Sequence, residues 1–291
     1  MFKGSIVALV TPFKGDKIDE ESLRNLVEWH IKEGTNGIVP VGTTGESPTL
    51  DHTEHKSVIE IVIDQNNGRI PIIAGTGSNS TKEAINLLEH AESSGADAAL
   101  VVTPYYNKPT PEGIYQHYKA LDGCSKNLPI IIYNIPSRSV IDIKPKDMGK
   151  LSKLKKIVGV KDATSEIARV LEHKELCGDN FIQLSGEDET IFDFMRAGGQ
   201  GCISVTANII PNICAKFHKL LEEEKFDDAI KINNSIMPLH KVLFLETSPG
   251  PVKYALCKLG LIENTLRLPL VSVQEETKNN IDQVLSVLEL I

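Results

Sequence analysis

Lys161 ends the apolar run IVGV (157–160). An amine there, shielded from water, is drawn toward its uncharged form, because desolvation disfavours the ammonium. A free amine attacks a carbonyl and forms a Schiff base, which then serves as an electron sink. Tyr133 lies in the preceding apolar run, 128–136, one strand away. A phenol there passes protons to and from a carbinolamine, or else it is a tyrosine at the edge of the core. Thr43 and Thr44 stand between Gly42 and Gly45. That spacing suits a tight turn, or a small loop whose N–H and hydroxyl groups hold a carboxylate. Arg138 follows the turn Asn134-Ile135-Pro136-Ser137 and is either a surface residue or a clamp on a second carboxylate. No His stands at these strand ends, and no two carboxylates face each other across neighbouring strands. Metal hydrolysis and glycosidase chemistry therefore lack their ordinary groups.

These residues need strands to carry them. Eight short runs rich in Val, Ile, Leu and Ala recur, at 5–13, 36–42, 70–77, 98–106, 128–136, 157–164, 181–186 and 201–208. They are nearly continuous in apolar character, as strands buried on both faces must be. They begin roughly 20–35 residues apart, the length of a βαβ unit. Helical patterns lie between them. Asp19-Glu20-Glu21-Ser22 precedes the Leu23/Leu26/Val27/Ile31 stripe, Ser80 and Glu83 read as a capping box, Pro111 opens a helix, and Gly34 and Gly95 close theirs. The fold class is α/β, a (β/α)8 TIM barrel. An open doubly wound sheet is the alternative, but its usual G-x-G-x-x-G after strand one is missing. Beyond about residue 209 the strand pattern stops. Residues 211–224, 226–245, 249–260 and 273–290 read as helices, punctuated by Pro238, Gly250, Pro251 and Pro269. The expected organisation is a catalytic barrel over 1–224 and a C-terminal helical domain over 225–291.

Composition narrows the partners. The 291 residues hold 31 Lys plus Arg against 39 Asp plus Glu, a net charge of −8, so no basic excess meets a nucleic-acid backbone. The apolar share of 41% is that of a globular chain rather than a disordered one. No run approaches the roughly 18 apolar residues of a membrane span. Segment 1–13 reads as a first strand rather than a signal peptide. Five widely spaced cysteines without a C-x-x-C suit reduced thiols in a cytoplasmic protein.

Five motifs at strand ends, GTTGES (42–47), VTPYYNKP (102–109), YNIPSRS (133–139), GVKDAT (159–164) and SGED (185–188), together resemble the dihydrodipicolinate synthase family. The resemblance extends over essentially the whole chain. It implies a class I, Schiff-base-forming lyase that condenses pyruvate with L-aspartate 4-semialdehyde on the route to diaminopimelate and lysine. It implies that Lys161 forms the Schiff base, and that Tyr133, Thr43 and Tyr106 make a proton relay, with Tyr106 reaching into a neighbouring subunit's site. Thr44 would hold the pyruvate carboxylate and Arg138 that of the semialdehyde. Gly186 and Ile203 would line the pocket through their backbones. No metal or organic cofactor is implied, and the implied assembly is a homotetramer, a dimer of dimers. Asp162 stands where many members have Glu, and Glu187 where many have Asp.

Members with feedback control bind L-lysine at the dimer interface, and the matching positions are Ser47, His52, His55, Asn79, Glu83 and Tyr105. Pro48 follows Ser47 where many members have a small residue. The competing readings are a sibling pyruvate-dependent aldolase such as N-acetylneuraminate lyase, and a catalytically dead barrel that serves as a scaffold. The Thr43-Thr44 pair and Arg138 favour the synthase over the sibling. The presence of Lys161, Tyr133 and Thr43 weighs against the scaffold.

Overall fold

The computed structural model describes residues 2–291. Eight parallel strands form the sheet: β1 (Gly4–Ala8), β2 (Gly37–Val39), β3 (Ile73–Gly75), β4 (Ala98–Val102), β5 (Ile130–Asn134), β6 (Ile157–Asp162), β7 (Ile182–Ser185) and β8 (Gly201–Ser204). Their order is β2-β1-β8-β7-β6-β5-β4-β3. The two ends meet through a parallel bridge between Ile38 and Ile72, and the Ile38 N–H donates to the Pro71 carbonyl at 2.9 Å. The sheet thus closes on itself as a TIM barrel, which leaves no edge to aggregate. A two-strand ribbon, Phe13–Lys14 against Lys17–Ile18, follows β1 and was not anticipated from sequence.

Strand parity sorts the side chains. Val7, Ile38, Ala99, Val101, Ile130, Ile132 and Val160 pack outward, in one cluster with the surrounding helices. Ile6, Ala8, Val39, Leu100, Ile131, Tyr133, Leu184 and Ile203 fill the interior. Each fully buried Ile or Leu contributes roughly 1.5–3 kcal/mol, so these two layers rather than any single polar contact hold the sheet. Because Val160 points out, Lys161 must point in.

The helices are α1 (Glu20–Lys32), α2 (His52–Asn66), α3 (Thr81–Ser94), α4 (Pro111–Cys124), α5 (Pro136–Ser139), α6 (Pro145–Leu151), α7 (Ala168–Cys177), α8 (Ile191–Arg196), α9 (Pro211–Glu222), α10 (Phe226–Val242), α11 (Gly250–Lys258) and α12 (Glu275–Val287). Their starts follow local chemistry. Asp19 caps α1 by accepting from the Ser22 N–H at 3.1 Å, and Thr110 caps α4 ahead of Pro111. The expected capping box at Ser80 is only half formed. Ser80 accepts from the Glu83 N–H, but the Glu83 carboxylate turns away to the Ser78 hydroxyl and His52. A complete box occurs at α2 instead, between Asp51 and Glu54. Pro238 lies inside α10 without ending it.

The last three helices pack at the end of the barrel where the strands finish. α11 lies against the short turn Thr206–Asn208 that follows β8, and His240 of α10 hydrogen-bonds the Thr206 hydroxyl at 2.8 Å. The same apolar cluster runs from Val7 through Leu239, Val252 and Leu256 to Ile281 and Leu285. Buried Asp188 pins the turn after β8, accepting from Ser204 Oγ (2.5 Å) and from the N–H groups of Val205 (2.9 Å) and Thr206 (3.1 Å). Among the described residues no helix is long and apolar enough to cross a membrane.

Candidate active site at the barrel mouth

Lys161 sits near the end of β6, 6% exposed, in register with Tyr133 on β5. Its Nζ lies 4.2 Å from the Tyr133 ring centroid, close enough for a cation–π contact when protonated. It has no ion-pair partner among the described residues. A cavity of about 50 Å³ surrounds this pair, with Thr43, Thr44, Arg138, Gly186 and Glu187 on its wall. The packing at Gly186 is tight. A Cβ there would stand 2.7 Å from Ala163 Cβ and 3.1 Å from Lys161 Cε, so a larger residue forces Ala163 to shift and presses on the lysine stem.

The neighbouring residue of the same strand faces the other way. Asp162 points outward, where its Oδ1 accepts from the Thr164 N–H at 2.9 Å and Arg169 approaches at 3.8 Å. Arg169 also grips Asp142 with two hydrogen bonds of 2.7 and 2.6 Å, and Asn134 at the end of β5 donates to Asp142 at 3.0 Å. This outer network ties the ends of β5 and β6 together and so fixes the spacing of Tyr133 and Lys161. Thr103 adds to it, donating through both its N–H and its hydroxyl to the Tyr133 carbonyl at 2.9 Å.

Not every expected residue joins the cavity. Ile203 is buried in the barrel interior but is not on the cavity wall. Tyr106 stands 88% exposed on the loop after β4 and lines neither this cavity nor the larger one beside it. Arg138, on α5, is exposed and lines both cavities. Several wall residues were not singled out from sequence: Ala8, Leu100, Val205, Phe244 and Ser248. The last two come from the segment between α10 and α11, and no local motif marks them. Glu187 is the wall's carboxyl group. Burial pushes it up to about 7, against the opposing pull of Lys161.

The second cavity, about 470 Å³, shares Thr43, Ile135 and Arg138 with the first. Ser47, His52, His55, Glu83 and Tyr105 line it, and Asn79 lies just outside, donating to the Tyr105 carbonyl at 3.2 Å. His52 Nε2 meets Glu83 Oε1 at 2.6 Å. The hydrogen bond from Ser78 and the contact with His52 hold the Glu83 carboxyl below its ordinary range, against burial. Burial, with help from His52 and His90, depresses His55 to about 4, so it is neutral near pH 7. A carboxylate, imidazoles and a phenol on one wall offer partners to an amino acid's ammonium and carboxylate groups.

The Dihydrodipicolinate synthetase family model matches residues 1–288. A 4-hydroxy-tetrahydrodipicolinate synthase of Bradyrhizobium diazoefficiens is 56% identical over 277 residues, 95% of this chain and 93% of that protein. The chloride-inhibited dihydrodipicolinate synthase of Acinetobacter baumannii, solved in complex with pyruvate, superposes with a TM-score of 0.97 at 46% identity over 100% of both chains. The enzyme of Cyanidioschyzon merolae, solved with lysine bound, superposes with a TM-score of 0.96 at 32% identity, covering 100% of this chain and 99% of that one.

Proposed function

The chain belongs to the dihydrodipicolinate synthetase family, and from that membership we propose that it is a 4-hydroxy-tetrahydrodipicolinate synthase, a lyase of the class I aldolase type in diaminopimelate and lysine biosynthesis. The observation that carries this reading is Lys161, turned into the barrel mouth over the Tyr133 ring without a carboxylate partner. Lys161 Nζ attacks C2 of pyruvate and water leaves, giving an imine. A proton leaves C3 and the imine becomes an enamine. The enamine C3 then bonds to the aldehyde carbon of L-aspartate 4-semialdehyde. Finally the semialdehyde amine displaces Lys161 from C2 and closes the six-membered ring, returning the free amine. Tyr133 and Thr43 relay protons to and from the carbinolamine, with Tyr106 supplied by a second subunit. Thr44 holds the pyruvate carboxylate and Arg138 that of the semialdehyde, while Gly186 and Ile203 contribute backbone. The covalent electron sink and the orientation of two anionic substrates lower the barrier.

Tyr106 is 88% exposed and outside its own cavity, so it is free to reach a neighbouring subunit's site, in keeping with assembly as a homotetramer. Five free cysteines fit a reducing, cytoplasmic setting. The second cavity is the site at which L-lysine inhibits, through Ser47, His52, His55, Asn79, Glu83 and Tyr105. Unchanged initial rates at millimolar lysine would remove that assignment. Pyruvate with borohydride tests the main reading: a reduced adduct of pyruvate mass on Lys161 is expected. A coupled assay with pyruvate and aspartate semialdehyde, run beside N-acetylneuraminate cleavage, separates the synthase from its sibling, and activity on the sugar alone would overturn the synthase.

A further inference from the structure

A second buried lysine joins the C-terminal helices to the hydroxyl-bearing loop of the candidate site. Lys253, on α11, donates from Nζ to Glu46 Oε1 at 2.6 Å and to the Thr11 carbonyl at 2.9 Å, and both charged side chains are 0% exposed. The other carboxylate oxygen of Glu46 accepts from the Arg267 N–H at 3.2 Å. The Arg267 guanidinium is in turn clamped on Glu54 by two bonds of 2.6 Å. Lys253 and Arg267 each lie 4.3 Å from the Phe13 ring centroid. Burial pulls the Lys253 ammonium below the ordinary lysine range, and the Glu46 carboxylate pulls it back. Apolar residues of the same volume usually serve stability as well as a buried ion pair does. The pair is therefore better explained by the geometry that it imposes.

That geometry concerns residues 42–47. Glu46 adopts a left-handed backbone at φ 54, and Val41, at the other end of the loop, does so at φ 48. Such conformations in residues with a Cβ persist only where the surroundings enforce them. The Glu46 N–H donates to the Thr43 carbonyl at 3.1 Å, and the Thr11 hydroxyl donates to the Gly45 carbonyl at 2.7 Å. Thr11 and Glu46, the two acceptors of Lys253, are thus both bonded to the loop that bears Thr43 and Thr44. Neither Glu46 nor Lys253 lines the Lys161 cavity.

We propose that the Lys253–Glu46 pair is a positioning device, by which the C-terminal helices lock loop 42–47 so that Thr43 and Thr44 stay on the wall of the Lys161 cavity. The proposal rests on the reading of Lys161 as the imine-forming amine. It is tested with Glu46→Gln and with the double variant Glu46→Gln/Lys253→Met, which removes both charges together and leaves neither buried alone. Three readouts are compared with the parent: borohydride trapping of pyruvate, steady-state kinetics, and backbone amide exchange followed by mass spectrometry. Both variants are expected to trap pyruvate on Lys161. Their kcat falls by about 10- to 100-fold and the pyruvate KM rises by about 3- to 10-fold, because Thr44, which holds the pyruvate carboxylate, is displaced with the loop rather than lost. Exchange quickens in peptides covering 42–50 and not in those covering β6. A folded variant with the parent's kcat and the parent's exchange over 42–50 overturns the proposal. So does unfolding of both variants at the assay temperature, because the pair then holds the fold rather than the loop. A parent that traps no pyruvate overturns the Schiff-base reading instead, and the exchange comparison still decides whether the pair holds the loop.

Discussion

Lys161 and Lys253 are both withdrawn from solvent, at 6% and 0% exposure, yet their surroundings differ. Lys253 spends its donors on a carboxylate at 2.6 Å and a carbonyl at 2.9 Å. It could attack nothing without breaking that pair. Lys161 rests over a phenol ring at 4.2 Å, with the half-buried carboxyl of Glu187 on the same cavity wall. The difference teaches that burial alone does not make a lysine reactive. A paired, fully bonded ammonium is part of the framework, whereas an unpaired one beside open space is available to a carbonyl.

The contrast is broken first by removing each amine. Lys161→Ala is expected to lower kcat on the order of 10⁴-fold while leaving the denaturant midpoint nearly unchanged, and a coupled assay beside urea unfolding reads both. Turnover at the parent rate would end the proposed mechanism. Lys253→Met should do the reverse to stability, costing about 3–5 kcal/mol in urea unfolding because Glu46 is left buried without its partner. A loss below about 1 kcal/mol would mean that water reaches the pair. Tyr133→Phe keeps the ring beneath Lys161 and removes only the hydroxyl. It should reduce kcat by about 10²-fold with trapping of pyruvate retained but slowed, and an unchanged kcat would take Tyr133 out of the relay.

Smaller effects sharpen the picture. Gly186→Ala inserts a methyl group 2.7 Å from Ala163 Cβ and 3.1 Å from Lys161 Cε. It should cost about 1–3 kcal/mol by overpacking and slow imine formation; stability and trapping both at parental values would show that the wall yields freely. Glu187 tests the pH dependence of the cavity. Its carboxyl titrates near 7 in the folded chain, above its ordinary 4.5, so the folded state binds this proton more tightly than the unfolded one. Its stabilising contribution is fully present below about 4.5 and is lost as the pH rises through about 7. Relative to the parent, Glu187→Gln should therefore gain about 2–4 °C in melting temperature between pH 4.5 and pH 8. A difference that does not vary with pH would mean the carboxyl is solvated.

Much of the framework was legible. Each of the eight apolar runs coincides with a barrel strand, the first of them starting one residue earlier, at Gly4, and Pro111, Asp19 and Gly95 mark helix ends as their local chemistry requires. The runs overreach at their C-terminal ends. The run 98–106 holds a strand only over Ala98–Val102: Thr103 and Pro104 are buried outside the sheet while Tyr105 and Tyr106 are exposed on the following loop, and apolar content cannot tell such residues from a strand. The Ser80 box failed for a related reason: α2 brings His52 to Glu83, and Ser78 and His52 outcompete a local backbone N–H. Phe244 and Ser248 carried no signal because they reach the cavity only when the last helices dock.

Period and composition decided the parallel sheet, and strand parity decided that Lys161 turns inward while Asp162 turns out. These are local properties, written in the spacing of neighbours along one strand. Packing alone decided that Lys253 finds Glu46 across 207 residues, that Gly186 leaves room for a lysine stem, and which of two buried amines stays unpaired. Partners so distant in sequence meet only when the core closes, and no periodicity within either segment encodes the meeting.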